Sequence, residues 1–293
     1  GEHILMYESL EIGLVNKCQL KCPLCSRNKL VFKENSKFTS EHELDYETLC
    51  SFIRDLGTIK HVELVGATTE PTLYYKFLEF IQFLKELNIK VTISTNGMSD
   101  IPWEELNLLL VEEDEIKWAI DGSTQKMHKR YRRGSILAKV LNHRDLVTSC
   151  RNTLQFILFE HNQQDLEGIK ELAKQFDGLK IDNCYTSSPP LYKEDVSSFK
   201  PVESIETLYS TLRPGVSVSC KSKSQKELYL NYIGEVFPCC HLDEANISSE
   251  VTIYTHSIEQ IIAYTTKESE DRKHEVCGYF CSNLNRKIFN LFK

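Results

Sequence analysis

Cys18-Gln19-Leu20-Lys21-Cys22-Pro23-Leu24-Cys25 carries three cysteines in the spacing C-x3-C-x2-C. The stretch follows an apolar run over 10–15 that reads as a buried strand, which puts the thiols on a loop at a strand's C-terminal end. Thiolates grouped in this way suit soft metals and iron–sulfur clusters. Closing a [4Fe–4S] cube takes four thiolates, and this loop supplies three. One iron would stay open to another ligand.

Outward from that loop, strand and helix patterns alternate. Strand-like runs at 10–15, 62–65, 91–94, 116–120, 154–159 and 179–184 are separated by helical spacing at 46–56, 73–87, 103–110, 136–147 and 166–176. Gly57 stands as a helix stop and Pro102 suits a first helical turn. A polar stretch, 28–43, reads as an exposed excursion. Alternation of this kind implies right-handed β-α-β units and a parallel sheet, either doubly wound or a partial barrel. The strands read as near-continuously apolar, as expected when both faces are buried. In either architecture sites form at the C-terminal strand ends. Those ends hold Gly66-Ala67-Thr68-Thr69-Glu70-Pro71, Thr95-Asn96-Gly97, Asp121-Gly122 and Glu160-His161-Asn162.

Bulk properties narrow the class. With 293 residues, 41% of them hydrophobic, the chain has enough apolar material for one large domain and a small appendage. Its 35 basic and 42 acidic residues give a net charge of −7, which argues against an extended nucleic-acid surface and leaves a local basic patch at 126–133. No apolar run approaches a membrane span, and the N-terminus lacks the order of a signal peptide. Eleven cysteines, an odd number without a secretory signal, fit a reducing cytoplasm better than a disulfide framework. Cys50, Cys150 and Cys184 lie in apolar-periodic segments and read as core packing.

Past a polar linker over 187–202 and a helical stretch at 203–212 comes a second cysteine set. Cys220 precedes a β-hairpin pattern over 228–240, with its turn near 231–234 and Cys239 and Cys240 at its end. Ser257 is placed to cap a helix over 258–264, and Cys277 and Cys281 follow. His241 and His256 are alternative ligands nearby. Cysteine groups of this kind also occur in zinc-binding interaction modules. Zinc, however, would explain none of the polar strand ends, and the first triad has no local fourth donor.

Together these motifs resemble the radical S-adenosylmethionine (SAM) superfamily. The resemblance implies an α/β fold: a partial (β/α)6 barrel with a small C-terminal α+β domain of the SPASM/twitch type. The barrel would span 1–202 with its core at 8–186, the twitch domain 203–285 and a tail 286–293. Cys18, Cys22 and Cys25 would hold a catalytic [4Fe–4S] cluster whose open iron is chelated by SAM. Gly66, Thr68, Thr69 and Glu70 are similar to the family's GGEP-type segment, with Thr69 where a glycine usually precedes the glutamate. Ser94 and Asn96 belong to its TNG strand end. Asp121 and Arg132 (Arg133 second) match the ribose and carboxylate contacts, and Leu24 and Asn162 are further SAM contacts. Cys220, Cys239, Cys277 and Cys281 resemble the ligand set of an auxiliary [4Fe–4S] cluster.

The implied reaction is reductive cleavage of SAM to a 5′-deoxyadenosyl radical, hydrogen abstraction, and oxidation of the substrate radical through the auxiliary cluster, as in dehydrogenase-like relatives. Peptide-, protein- or nucleoside-modifying chemistry with a structural auxiliary cluster is the alternative. Peptide-modifying relatives usually carry a leader-binding domain, for which this length leaves no room. The implied partners are an electron donor such as flavodoxin or ferredoxin, and a small-molecule or peptide substrate. Tyr7, Glu63, His128, His161 and Tyr185 are acid–base candidates, each more often structural in such positions.

Overall fold

The computed structural model describes residues 6–25, 27, 41–65, 70–183, 224–244 and 248–271. In chain order the elements begin β1 (Ser9–Ile12), α1 (Tyr46–Leu56), β2 (His61–Leu64), α2 (Phe77–Glu86), β3 (Lys90–Thr95), α3 (Trp103–Leu109) and β4 (Glu115–Ala119). They continue with α4 (Gln125–Tyr131), α5 (Leu137–Asp145), β5 (Arg151–Leu158), α6 (Leu166–Ala173), β6 (Gly178–Asn183), β7 (Glu227–Leu230), β8 (Val236–Phe237), α7 (Cys240–Glu244) and α8 (Ile258–Asp271). Six strands, β1 to β6, alternate with helices, the pattern of a partial (β/α)6 barrel. The chain divides into two compact units, one formed by Gly13–Glu43 and Val62–Glu203, the other by Gly1–Ile12, Leu44–His61 and Ser204–Lys293.

In the first unit the strands lie in the order β6-β5-β4-β3-β2. The β3–β4, β4–β5 and β5–β6 pairs are parallel, with Ser94 opposite Lys117, Ala119 opposite Gln155 and Ile157 opposite Asp182. Side chains alternate between the two sheet faces. One face is apolar and fully buried, through Val62, Leu64, Ile93, Ile116, Trp118, Leu154 and Phe156. Helix α3 covers it, with the Trp103 and Trp118 rings 5.1 Å apart. The other face is polar and half-buried. There Lys117 Nζ meets Glu63 Oε1 at 2.5 Å, and Gln155 Nε2 donates to Asp182 Oδ2 at 2.6 Å. The expectation of strands apolar on both faces is therefore corrected: only the helix-covered face excludes water fully, so the opposite one retains paired charges.

Other boundaries shift for local reasons. The helix expected over 73–87 is interrupted. Pro71–Leu73 forms a 3-10 turn, Tyr74 is extended, and α2 starts only at Phe77. The cause is Glu70, whose carboxylate binds the Thr72 N–H and ties the turn down before the helix begins. Helix α4 was hidden in sequence because its outward residues are nearly all cationic, with only His128 and Tyr131 buried. At Gly122 a Cβ would lie 2.3 Å from the His128 backbone nitrogen, so only glycine lets α4 approach the end of β4.

In the second unit β1 pairs in parallel with β7, Leu10 opposite Leu228. The hairpin expected over 228–240 forms from β7 and β8, antiparallel, with Tyr229 opposite Phe237. Its turn is held by Asn231, whose Oδ1 accepts from Glu235 N at 2.9 Å and whose Nδ2 donates to Asp243 at 2.9 Å. Asp45 caps α1 through Thr48 N at 2.9 Å, and Gly57, at φ +64°, ends it. Ser257 caps α8, accepting from Gln260 N at 3.4 Å. The helix runs past the expected 264 to Asp271. Tyr7, an acid–base candidate, is structural, its hydroxyl donating to Thr265 Oγ1 at 3.0 Å in a buried bond. Among the described residues no helix is long and apolar enough to cross a membrane.

At the end of the first unit opposite the cysteine loop, Asp114 staples β3 to β4. It is fully buried and accepts from Val91 N (2.7 Å), Val111 N (2.9 Å) and Lys85 Nζ (2.8 Å). Removing one partner of a buried pair costs roughly 3–5 kcal/mol. Asp114→Ala should lower unfolding free energy in urea by about 3 kcal/mol.

Candidate active site

The loop after β1 brings Cys18, Cys22 and Cys25 together, Cys22 buried and the other two half-buried. They pack with Leu20, Leu24, Tyr131, Phe159, Met98 and Ile157 in one apolar cluster, the Tyr131 and Phe159 rings 4.5 Å apart. The loop is pinned from both sides. At its base Asn16 exchanges hydrogen bonds with His42, N to O at 3.0 Å and His42 N to Asn16 Oδ1 at 2.8 Å. Arg27 binds the Asn16 and Cys18 carbonyls at 3.2 and 3.4 Å. Lys21 N donates to Arg133 O at 3.0 Å.

Glu70 is the central tie. Its carboxylate is 2% exposed and accepts from the Thr72 hydroxyl (2.6 Å), the Thr95 hydroxyl (2.7 Å) and Asn96 N (2.8 Å). Its own N–H donates to Lys17 O at 3.0 Å. Burial pushes the Glu70 carboxyl upward in pKa, and these donors pull it back. Asn96 carries the tie onward: Nδ2 donates to Cys18 Sγ at 3.6 Å, while Oδ1 accepts from Met98 N at 2.9 Å and Gln19 Nε2 at 3.1 Å. Gly97, at φ +70°, makes this turn possible; a Cβ there would lie 2.8 Å from Val140.

The second tie runs through Asp121 and Arg132. Asp121 is fully buried; Oδ2 accepts from Arg132 Nε at 2.5 Å and Oδ1 from Ile157 N at 2.6 Å. Burial works against the Arg132 charge, but Asp121 and Cys22 beside it hold the guanidinium firmly protonated. Burial drives the Cys18 thiol up to about 11 and Cys22 up to about 12, with Arg132 opposing it at Cys22. Cys25 is raised for the same reason. Holding three thiolates here therefore takes positive charge, of which Arg132 supplies part and iron would supply the rest.

Three cysteine thiols on one loop are the donor type that an iron–sulfur cluster takes. In a cube each thiolate binds a different iron, so the sulfurs stand apart. Asn162 is fully buried and spends its side chain on the end of β5: Oδ1 accepts from Phe159 N (2.8 Å) and Nδ2 donates to Ile157 O (3.0 Å). Ser94 is half-buried on the polar face of β3. Gly66, Thr68, Thr69, Cys220, Cys277, Cys281 and Tyr185 lie outside the described residues. Sequence reading missed Gln19, Arg27, Thr72, Thr95 and Ser99 as braces; the Ser99 hydroxyl lies 2.6 Å from that of Thr72 and accepts from Gln19 Nε2 at 3.3 Å. Only Thr95, inside a strand-end motif, carried a signal.

The sequence model of the radical SAM superfamily matches residues 12–173, more than half of the chain. The chain belongs to the radical SAM superfamily. It is 22% identical over 262 residues to the tungsten-containing aldehyde ferredoxin oxidoreductase cofactor-modifying protein of Pyrococcus furiosus, covering 78% of this chain and 70% of that one. Among solved structures, anSMEcpe with bound AdoMet (SAM) superposes with a TM-score of 0.62 at 17% identity, over 97% of this chain and 95% of that one. Streptococcus suis SuiB bound to precursor peptide SuiA gives 0.61 at 13% identity, over 89% of this chain but 65% of SuiB, less than two thirds of its length. At these identities the likeness is one of fold. Membership of the superfamily makes this a radical SAM enzyme that uses SAM and a [4Fe–4S] cluster.

His128 braces this site as a neutral imidazole. It is fully buried; Nδ1 accepts from Asp121 N at 3.2 Å, which leaves the proton on Nε2 to donate to Ser135 Oγ at 2.7 Å. Burial, then Arg132, hold its pKa down to about 3. The unfolded chain takes up this proton as pH falls below 6.5, the folded chain only near 3, so stability is lost on acidification across that window. Between pH 7.5 and 5.5 the native protein should lose about 1.4 kcal/mol more than His128→Gln, read from urea unfolding at both pH values. Equal losses would mean the imidazole is charged in the fold.

Proposed function

We propose that Cys18, Cys22 and Cys25 hold the cluster whose open iron takes SAM, and that the enzyme abstracts a hydrogen atom from its substrate and oxidises it. When bound, cluster and SAM supply one-electron cleavage of the sulfonium, yielding methionine and a 5′-deoxyadenosyl radical. The observation that carries this is the tying of the thiol loop to two strand ends, through Asn96 to Cys18 and through the end of α4, where Asp121 anchors Arg132, Tyr131 packs with Cys22 and Arg133 O takes the Lys21 N–H. Asn96 donates to a thiolate sulfur and so stabilises its charge. Arg132 offsets the charge at Cys22 and would meet the SAM carboxylate. Leu20, Tyr131 and Phe159 exclude water around the thiols. Glu70, with its carboxylate already bound by three donors, acts here by positioning Asn96, and Asn162 by shaping the end of β5.

The oxidative half rests on the second cysteine set. Cys220, Cys239, Cys277 and Cys281 would hold an auxiliary [4Fe–4S] cluster, which would supply an acceptor for the electron left on the substrate. Cys239 suits such a role: it is half-buried and packed with Cys240 against Tyr229, Phe237 and Leu242. The polar sheet face with Glu63, Lys117, Gln155 and Asp182 offers paired donors and acceptors to a polar substrate. A second reading, peptide or cofactor modification with a structural auxiliary cluster, is favoured by the fold likeness to the peptide-bound SuiB and by the cofactor-modifying relative.

Reduced, iron-reconstituted protein with SAM should release 5′-deoxyadenosine, and Cys22→Ala should abolish it; release by that variant would sink the assignment of the triad. Cys277→Ala with Cys281→Ala should bind about four fewer irons per chain, and unchanged iron would remove the auxiliary cluster. Deuterium transfer into 5′-deoxyadenosine from labelled peptides or labelled small polar alcohols separates the two substrate readings.

A further inference from the structure

Helix α4 and the residue pair beyond it form a cationic surface on a net acidic chain. Between 122 and 134 the sequence carries Lys126, Lys129, Arg130, Arg132 and Arg133 and no carboxylate, against a net charge of −7 overall. The helix sorts these residues. His128 and Tyr131 face inward, Tyr131 into the apolar cluster around Cys22. Arg132 is held by Asp121. Lys126, Lys129 and Arg130 follow i, i+3, i+4 spacing, which puts them on one side of the helix, and Arg133, past the helix end, lies beside them. With Thr124 and Met127 they line an open concavity of about 530 Å³, with no carboxylate among the described lining residues. Lys126, Lys129 and Arg130 are exposed and, among the described residues, have no ion-pair partner.

This surface stands directly behind the thiol loop. Lys21, next to Cys22, donates its N–H to the Arg133 carbonyl at 3.0 Å. On the inner side of α4, Tyr131 packs with Cys22 in one apolar cluster. A substrate on that outer face would have the helix between itself and the radical. An electron needs no such open path, only a short distance.

The geometry points to this patch as the docking surface for a small acidic one-electron carrier protein of the ferredoxin type. The inference rests on the radical SAM reading above and adds to it where the electron enters. In the transfer, one electron leaves the reduced carrier and reduces the oxidised cluster; the carrier is left oxidised by one electron, no bond forms or breaks, and no proton moves. Charge complementarity argues for this partner over nucleic acid. Three exposed cations on one helix face match an acidic lobe, whereas a duplex, with one charge per roughly 1.7 Å, calls for a longer track than an acidic chain provides.

The test uses the iron-loaded protein and a reversal variant, Lys126→Glu with Lys129→Glu and Arg130→Glu. Titration with oxidised acidic ferredoxin should show affinity weakened by about tenfold or more, and kcat/KM for ferredoxin-driven 5′-deoxyadenosine release should fall in parallel. Dithionite-driven release and iron content should match the parent, which shows that the variant is folded. Raising salt should weaken ferredoxin binding to the parent and not to the variant. The neutral variant Lys126→Gln with Lys129→Gln and Arg130→Gln should fall between them. Unchanged ferredoxin affinity in the reversal variant overturns the proposal. So does a variant that loses binding to a single-stranded RNA probe yet keeps ferredoxin-driven turnover. If dithionite releases no 5′-deoxyadenosine from the parent, the radical SAM reading itself fails, while the binding titration still reports on the patch.

Discussion

The site depends on one buried carboxylate. Glu70 lies at the head of the 3-10 turn after β2, yet its oxygens are bound by Thr72, Thr95 and the Asn96 N–H, and its own N–H by Lys17. Burying a charge without partners is prohibitive, so the carboxylate holds these donors as firmly as they hold it. Three strand ends become one rigid rim. Through Asn96 that rigidity reaches Cys18, and a thiol loop with little regular structure of its own gains a fixed floor.

A second buried pair completes the rim on the far side. Asp121 and Arg132 hold each other at 2.5 Å, and Asp121 also takes the Ile157 N–H, which ties the end of β4 to β5. Buried ion pairs contribute little to net stability when set against apolar packing, but leaving one partner alone is expensive. The pair fixes where a positive charge stands beside Cys22. Neutral His128 behind it, bound to Asp121 N and Ser135, keeps a second cation away from the first.

The two ends of the first unit divide their tasks. The Asp114 staple at one end is all stability, with every oxygen spent on backbone and Lys85. The rim at the other end spends comparable hydrogen bonds on holding a reactive loop. The sheet between them is apolar toward the helices and charged on the opposite face, which leaves polar groups available beside the rim without exposing the core.

The sequence by itself determined the alternation of six strands and helices, the thiol triad, the strand-end motifs and the β7–β8 hairpin, because each is carried by local periodicity or by short-range spacing. Helix α4 was missed, since a short helix with a cationic outer face shows little apolar period. Only the tertiary structure decided that Glu70 binds Asn96, that Asn162 caps β5, that β1 pairs with β7, and that the basic stretch lies behind Cys22. Each of these joins residues through backbone groups or across loops. Such partners are chosen by proximity after folding, and residue type does not reveal them beforehand.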